Sequence, residues 1–139
     1  MIEKVWTETD YPKMNWHDCR IYGFFIDYDE DYPWENKFIL KIDYFFPHID
    51  LMASPVLLEF SSFSDLVISI DYKKDAVEVL EIYEIVLKEK KAMNDKYFRY
   101  SWHINLRNGF IDLSSSGFKQ TLNSENIVGL NINVEEGSR

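Results

Sequence analysis

The chain predicts an α+β fold: a curved, mainly antiparallel sheet of about seven strands, or a half-open barrel, with one helix packed on it. Three observations carry that expectation. Two segments, FILKIDYFF at 38–46 and PVLLEFSSFSDLVISIDY at 55–72, alternate apolar with polar residues at every second position, as strands with one buried face do. Between Asp75 and Lys88 the rhythm changes to that of a helix stripe. The order of strands, helix and strands then favours an antiparallel sheet over alternating β–α units.

Residues 1–15 carry Pro12 and mixed charge without periodicity, and read as an arm or edge segment. From Trp16 to Tyr28 both sides of the alternation are largely apolar, which predicts a strand covered on both faces or lying deep in a closed sheet, with a bend or bulge at Gly23. DYDEDYPWEN, at 27–36, is a polar connection that projects beyond the sheet rim. The strand from Lys37 to Phe46 turns Phe38, Leu40, Ile42, Tyr44 and Phe46 inward and ends at Pro47. Pro55 opens a strand with Val56, Leu58 and Phe60 inward, and Asp65 precedes another with Leu66, Ile68, Ile70 and Tyr72 inward. The helix stripe consists of Ala76, Val79, Leu80, Tyr83, Val86 and Leu87. Asp75 stands at its N-cap and Lys88, Lys90 and Lys91 at its C-terminal end. Alternation returns from Tyr97 to Leu106, Asn108 and Gly109 give a hairpin signal, and GFIDLSSS at 109–116 is the return strand. Gly117 marks a further bend, and Val128, Leu130, Ile132 and Val134 face inward from a last strand at 127–134.

At 139 residues the chain forms a single domain over 1–139, because a domain near this size hides roughly 70% of its unfolded surface. EEGSR at 135–139 has no apolar side chain and is expected to be a mobile tail. Ten Phe, nine Tyr and four Trp lean the core further towards sheet.

A net charge of −9 opposes nucleic acid and anionic membrane surfaces and favours a basic partner. Lys73, Lys74, Lys88, Lys90 and Lys91 stand too close to acidic neighbours to form a patch that reads nucleic acid. A lone cysteine, Cys19, precludes an intrachain disulfide and fits a reducing compartment. The opening MIEKVWTETD lacks a signal-peptide pattern and no apolar run is long enough to span a bilayer, so a cytoplasmic protein is expected.

Two stretches are candidates for chemistry. His17, Asp18 and Cys19 stand together, and with His48 or His103 they could in principle form a metal site or a Cys–His pair. One cysteine lacks the paired spacing of structural zinc motifs, so a small buried hydrophobe is the better reading of Cys19. Asp43, Glu59, Asp112 and His103 could pair as acid and base if their strands were adjacent. The second stretch is the acidic run through Asp27, Asp29, Glu30, Asp31 and Glu35. It fails the calcium-loop template, having Tyr32 where glycine is needed and Phe38 where the closing glutamate is needed. Beside Tyr28, Tyr32 and Trp34 the same run combines negative field with aromatic anchors, as a docking surface does. No glycine-rich phosphate loop, nucleophile elbow or HExxH sequence occurs, and no cofactor is expected.

The segments WHDCRIYGF at 16–24, WENKFILKIDYFF at 34–46, PVLLEFSSFSDLVISIDY at 55–72 and IDLSSSGFKQ at 111–120 resemble a group of small bacterial proteins of unassigned function, similar in style to immunity proteins of toxin systems. The resemblance implies partner binding and transfers no catalytic residue. The expected function is therefore that of a non-enzymatic interaction protein of immunity type. Asp27, Asp29, Glu30, Asp31, Tyr32, Trp34 and Glu35 would meet a basic protein. The alternative is a small-ligand binder or hydrolase-like enzyme using His17, Asp18 and His103.

Overall fold

The computed structural model describes residues 5–45, 53–71 and 80–122. Among them the chain forms nine strands: β1 (Val5–Thr7), β2 (Arg20–Asp27), β3 (Lys37–Phe45), β4 (Ala53–Ser61), β5 (Ser64–Ile70), β6 (Leu80–Ala92), β7 (Phe98–Leu106), β8 (Gly109–Ser115) and β9 (Gly117–Leu122). Short 3-10 turns at Glu8–Lys13 and Pro33–Glu35 are the helical elements among these residues. All pairings are antiparallel, in the order β1-β9-β4-β3-β2-β6-β7-β8-β5, and the sheet is open, with β1 and β5 at its edges.

Two joints fold this sheet over itself. At one, β2 meets β6 through only Arg20↔Glu81 and Ile21↔Leu80. At the other, β4 runs into β5 and β8 into β9, with Ser61 opposite Gly117, Ser64 opposite Ser114, and the Ser116 N–H donating to the Ser61 carbonyl at 2.9 Å. Turning the chain there takes positive φ at Ser62 (48°) and Asp65 (55°), a conformation uncommon outside glycine. Gly117 also has positive φ, and a Cβ on it would lie 2.6 Å from the Glu8 carboxylate, which accepts the Phe118 N–H at 3.0 Å.

Folding over brings β7 against β4 and β9. The Trp102 ring lies 5.9 Å from Phe60 and 5.2 Å from Phe118, edge-on to both. The inward positions of the central strands are buried as the alternation requires: Phe38, Leu40, Ile42 and Tyr44 on β3, Val56, Leu58 and Phe60 on β4, Tyr100, Trp102, Ile104 and Leu106 on β7. Each large side chain among them contributes roughly 1.5–3 kcal/mol before chain entropy is subtracted. The buried indole N–H groups are satisfied, Trp16 by Gln120 Oε1 and Trp102 by Ser115 Oγ, both at 2.9 Å.

The expected helix is overturned. Leu80–Ala92 is a thirteen-residue strand, while Asp75, Ala76 and Val79 lie outside the described residues. Ile82 and Ile85 fill the core, and Tyr83 points to solvent. The physical reason is a pair of β-bulges, between Ile82 and Glu84 and between Leu87 and Glu89. Each inserts an extra residue, so the core-facing positions Ile82, Ile85 and Leu87 break the two-residue alternation that announces a strand, and the expected stripe runs instead through Tyr83 and Val86, neither of which is buried. Tyr11 braces the segment between the bulges: its hydroxyl donates to the Ile85 carbonyl at 2.7 Å and accepts the Leu87 N–H at 3.1 Å.

Other expectations fare variously. A bulge does fall between Ile21 and Gly23. β2 is not covered on both faces, since Tyr22, Phe24 and Phe25 are all exposed. The β7–β8 hairpin turns at Arg107 and Asn108, one residue earlier than the Asn108–Gly109 signal, because Leu106 pairs with Gly109. Gly109 itself, at φ 157°, lets β5 approach: a Cβ there would stand 2.0 Å from the Ser69 carbonyl oxygen. Pro47, the strand expected at 127–134 and the tail at 135–139 lie outside the described residues. Among the described residues no helix is long and apolar enough to cross a membrane.

Candidate functional site

The acidic run is the connection between β2 and β3, and local hydrogen bonds give it a fixed shape. Asp29 Oδ1 accepts the N–H groups of Asp31 and Tyr32, both at 3.0 Å, closing a turn that a short carboxylate side chain favours. Pro33 then opens a single 3-10 turn, in which the Glu35 N–H reaches the Tyr32 carbonyl at 2.8 Å. The turn sets Tyr32 and Trp34 edge to face, with ring centroids 5.4 Å apart. Tyr28 and Trp34 are each 67% exposed, well beyond what a ring serving the core would show.

Beneath this loop the ends of three strands enclose a cleft. In-register pairing sets Asp27 opposite Lys37 and Lys37 opposite Ser61. The cleft, of about 470 Å³, is lined by Asp27, Tyr28, Asp29, Glu30, Glu35, Lys37, Ser61 and Ser62. Four carboxylates therefore face one ammonium group across it. Such a surface attracts a cation at range and offers it hydrogen-bond acceptors on arrival. Of the residues expected to bind a partner, Asp27, Asp29, Glu30 and Glu35 line the cleft, while Asp31, Tyr32 and Trp34 are exposed on the loop beside it. Lys37, Ser61 and Ser62 were not readable as site residues. Their place depends on strand register and on the β4–β5 corner, and no local pattern announces either.

The alternative residues occupy other places. Trp16–Cys19 is a tight turn closed by the Cys19 N–H on the Trp16 carbonyl at 2.9 Å, with Asp18 at φ 68°. Trp16 and Cys19 are buried at its two ends. His17 is exposed, its Nδ1 3.0 Å from the Tyr83 carbonyl oxygen and its Nε2 3.6 Å from Asp18 Oδ2. His103 sits on β7 directly opposite Asp112 on β8, hydrogen-bonds it through Nδ1, and stacks on Phe110 with centroids 5.6 Å apart. Adjacency of β7 and β8 thus pairs these two side chains. Glu59 stands opposite Lys119 and Asp43 opposite Arg20, on other strands. None of His17, Asp18 and His103 lines the cleft. His48 is outside the described residues, among which no group of three or more His, Cys, Asp or Glu side chains is arranged to hold a metal ion.

Compared with protein-family models, curated proteins and solved structures, the chain matches none.

Proposed function

We propose that this chain is a non-enzymatic protein-interaction module of immunity type, whose β2–β3 loop and cleft receive a basic partner in the bacterial cytoplasm. The observation that carries the reading is the loop itself: carboxylates and exposed rings are held by side-chain-to-backbone hydrogen bonds over a cleft with a single cation. Pre-shaping lowers the ordering cost of association, and rings beside charge supply both anchoring and steering. The resemblance of the quoted segments to small immunity-like proteins supports the same reading.

The test replaces Glu30→Gln, Asp31→Asn and Glu35→Gln together, leaving Asp29 to hold its turn. Native and neutralised chains are immobilised in parallel, and captured proteins are identified by mass spectrometry at low and moderate salt. The native chain is expected to recover proteins with basic surfaces that the neutralised chain loses. Identical capture by the two chains, or none by either, contradicts the proposal.

A further inference from the structure

The β6–β7 hairpin is the counterpart of the acidic loop within the same chain. Between Lys88 and Arg99 it carries five basic residues, Lys88, Lys90, Lys91, Lys96 and Arg99, against Glu89 and Asp95. That is +3 locally, on a chain whose total is −9. Every residue from Lys88 to Phe98 is exposed, so the hairpin projects from the sheet with solvent on both faces. Its tip is fixed: Asn94 Oδ1 accepts the N–H groups of Lys96 and Tyr97 at 2.8 and 2.9 Å, and the Met93 N–H donates to the Tyr97 carbonyl at 2.8 Å. Met93 and Tyr97 are exposed there, and Lys90 lies 4.4 Å over the Phe98 ring.

Among the described residues these cations form no ion pair with a carboxylate, the loop's included. Among the described residues the ion pairs are His17–Asp18, His103–Asp112 and Arg107–Glu81.

We infer that a second copy of this chain is an occupant of the acidic cleft, entering with its β6–β7 hairpin. This rests on the reading of the loop given above and names its partner. Lysines and exposed Tyr97 on one surface match carboxylates and exposed Tyr28, Tyr32 and Trp34 on the other, and both surfaces are shaped before they meet. A nucleic acid is the poorer occupant for the hairpin, because the rest of the chain carries −12 and repels a long polyanion. The contact is heterologous: each added copy leaves one loop and one hairpin unused, so assemblies grow in mass with concentration unless they close into a ring.

Sedimentation velocity of the full chain tests this. At low salt the weight-average mass is expected to rise with concentration above the 16.6 kDa of a single chain and to return to it at high salt. One variant reverses the hairpin (Lys88→Glu, Lys91→Glu, Lys96→Glu) and another reverses the loop (Glu30→Lys, Asp31→Lys, Glu35→Lys). All six side chains are exposed, and unchanged thermal melting confirms that each variant folds. Each alone should stay monomeric. Mixed, the native loop meets the native hairpin and the reversed hairpin meets the reversed loop, so the two variants should co-assemble in equal numbers at least about tenfold more tightly than either self-associates. A native chain that is monomeric at every concentration overturns the inference. So does association that survives both reversals, a mixture that fails to pair, or a monomer whose hairpin binds a single-stranded oligonucleotide. If the native chain is monomeric yet its loop still captures basic proteins, the second copy is eliminated and the loop reading stands; loss of both eliminates both.

Discussion

Tyr11 shows how much one side chain can carry in this molecule. Its hydroxyl both donates to and accepts from the backbone of β6 between the two bulges, beyond the two residues at which β2 pairs with that strand. Tyr11→Phe strands a part-buried carbonyl and N–H, so chemical denaturation should show a loss of about 1–3 kcal/mol, and an unmoved midpoint would contradict the bracing role. Tyr44 and Tyr100 report on burial in another way. Burial pushes both phenols above their ordinary value of about 10, assisted at Tyr100 by the nearby Glu8 carboxylate. With the folded pKa raised, the stabilisation is fully present below about pH 10 and is lost as pH rises through the folded value, because the unfolded chain ionises first. Melting temperature should hold up to about pH 10 and then fall. Tyr44→Phe should flatten that fall, and an equally steep decline in the variant would show that its phenol is not the titrating group. At this scale the candidate site was partly legible. A run of carboxylates among aromatics is visible in any order of reading, whereas Ser61 and Ser62 reach the cleft only through the pairing of β3 with β4 and the corner after it.

The elements divide by how regular their alternation is. β3, β4 and β7 keep a strict two-residue period, and their inward residues are readable from sequence and buried in the fold. β6 breaks that period at two bulges, and hydrophobic spacing alone does not separate a twice-bulged strand from a helix stripe. A better clue lay in the β-branched and aromatic content of Ile82, Tyr83, Ile85 and Val86, which suits a strand more than a helix. β1 lies at the sheet edge, within the stretch read as an arm or edge segment, whereas β9 was missed because it is only six residues long. The two readings of residues 80–88 make opposite predictions. As a strand, Ile82→Ala empties a fully buried position and should cost about 2–5 kcal/mol, while Tyr83→Ala at an exposed one should stay within about 0.5 kcal/mol. The reverse order in denaturant unfolding would restore the helix. Gly109→Ala should also destabilise, since the new Cβ meets the Ser69 carbonyl oxygen and the φ is one that alanine rarely adopts; unchanged stability would mean that β5 does not lie that close.

Across the whole molecule, folding the sheet over itself has two consequences. It folds Trp102 onto Phe60 and Phe118 to make one aromatic core, and it leaves hairpin ends free to carry charge of opposite sign. The buried residues are mainly apolar, with Ser54, Ser115 and Gln120 among them, and the function proposed above is placed on a loop at the rim. On this account the loop between β2 and β3 is a preformed anionic receptor, and the His17–Asp18 turn is an anchor point for Trp16 and Cys19. Amide chemical-shift mapping tests that division directly, using the folded chain titrated with a short synthetic peptide of alternating arginine and tyrosine at low salt. The amides from Asp27 to Lys37 are expected to move together with those of Ser61 and Ser62, and added salt to reverse the shifts. Shifts centred instead on His17, Asp18 and His103, with the β2–β3 loop unmoved, would contradict it.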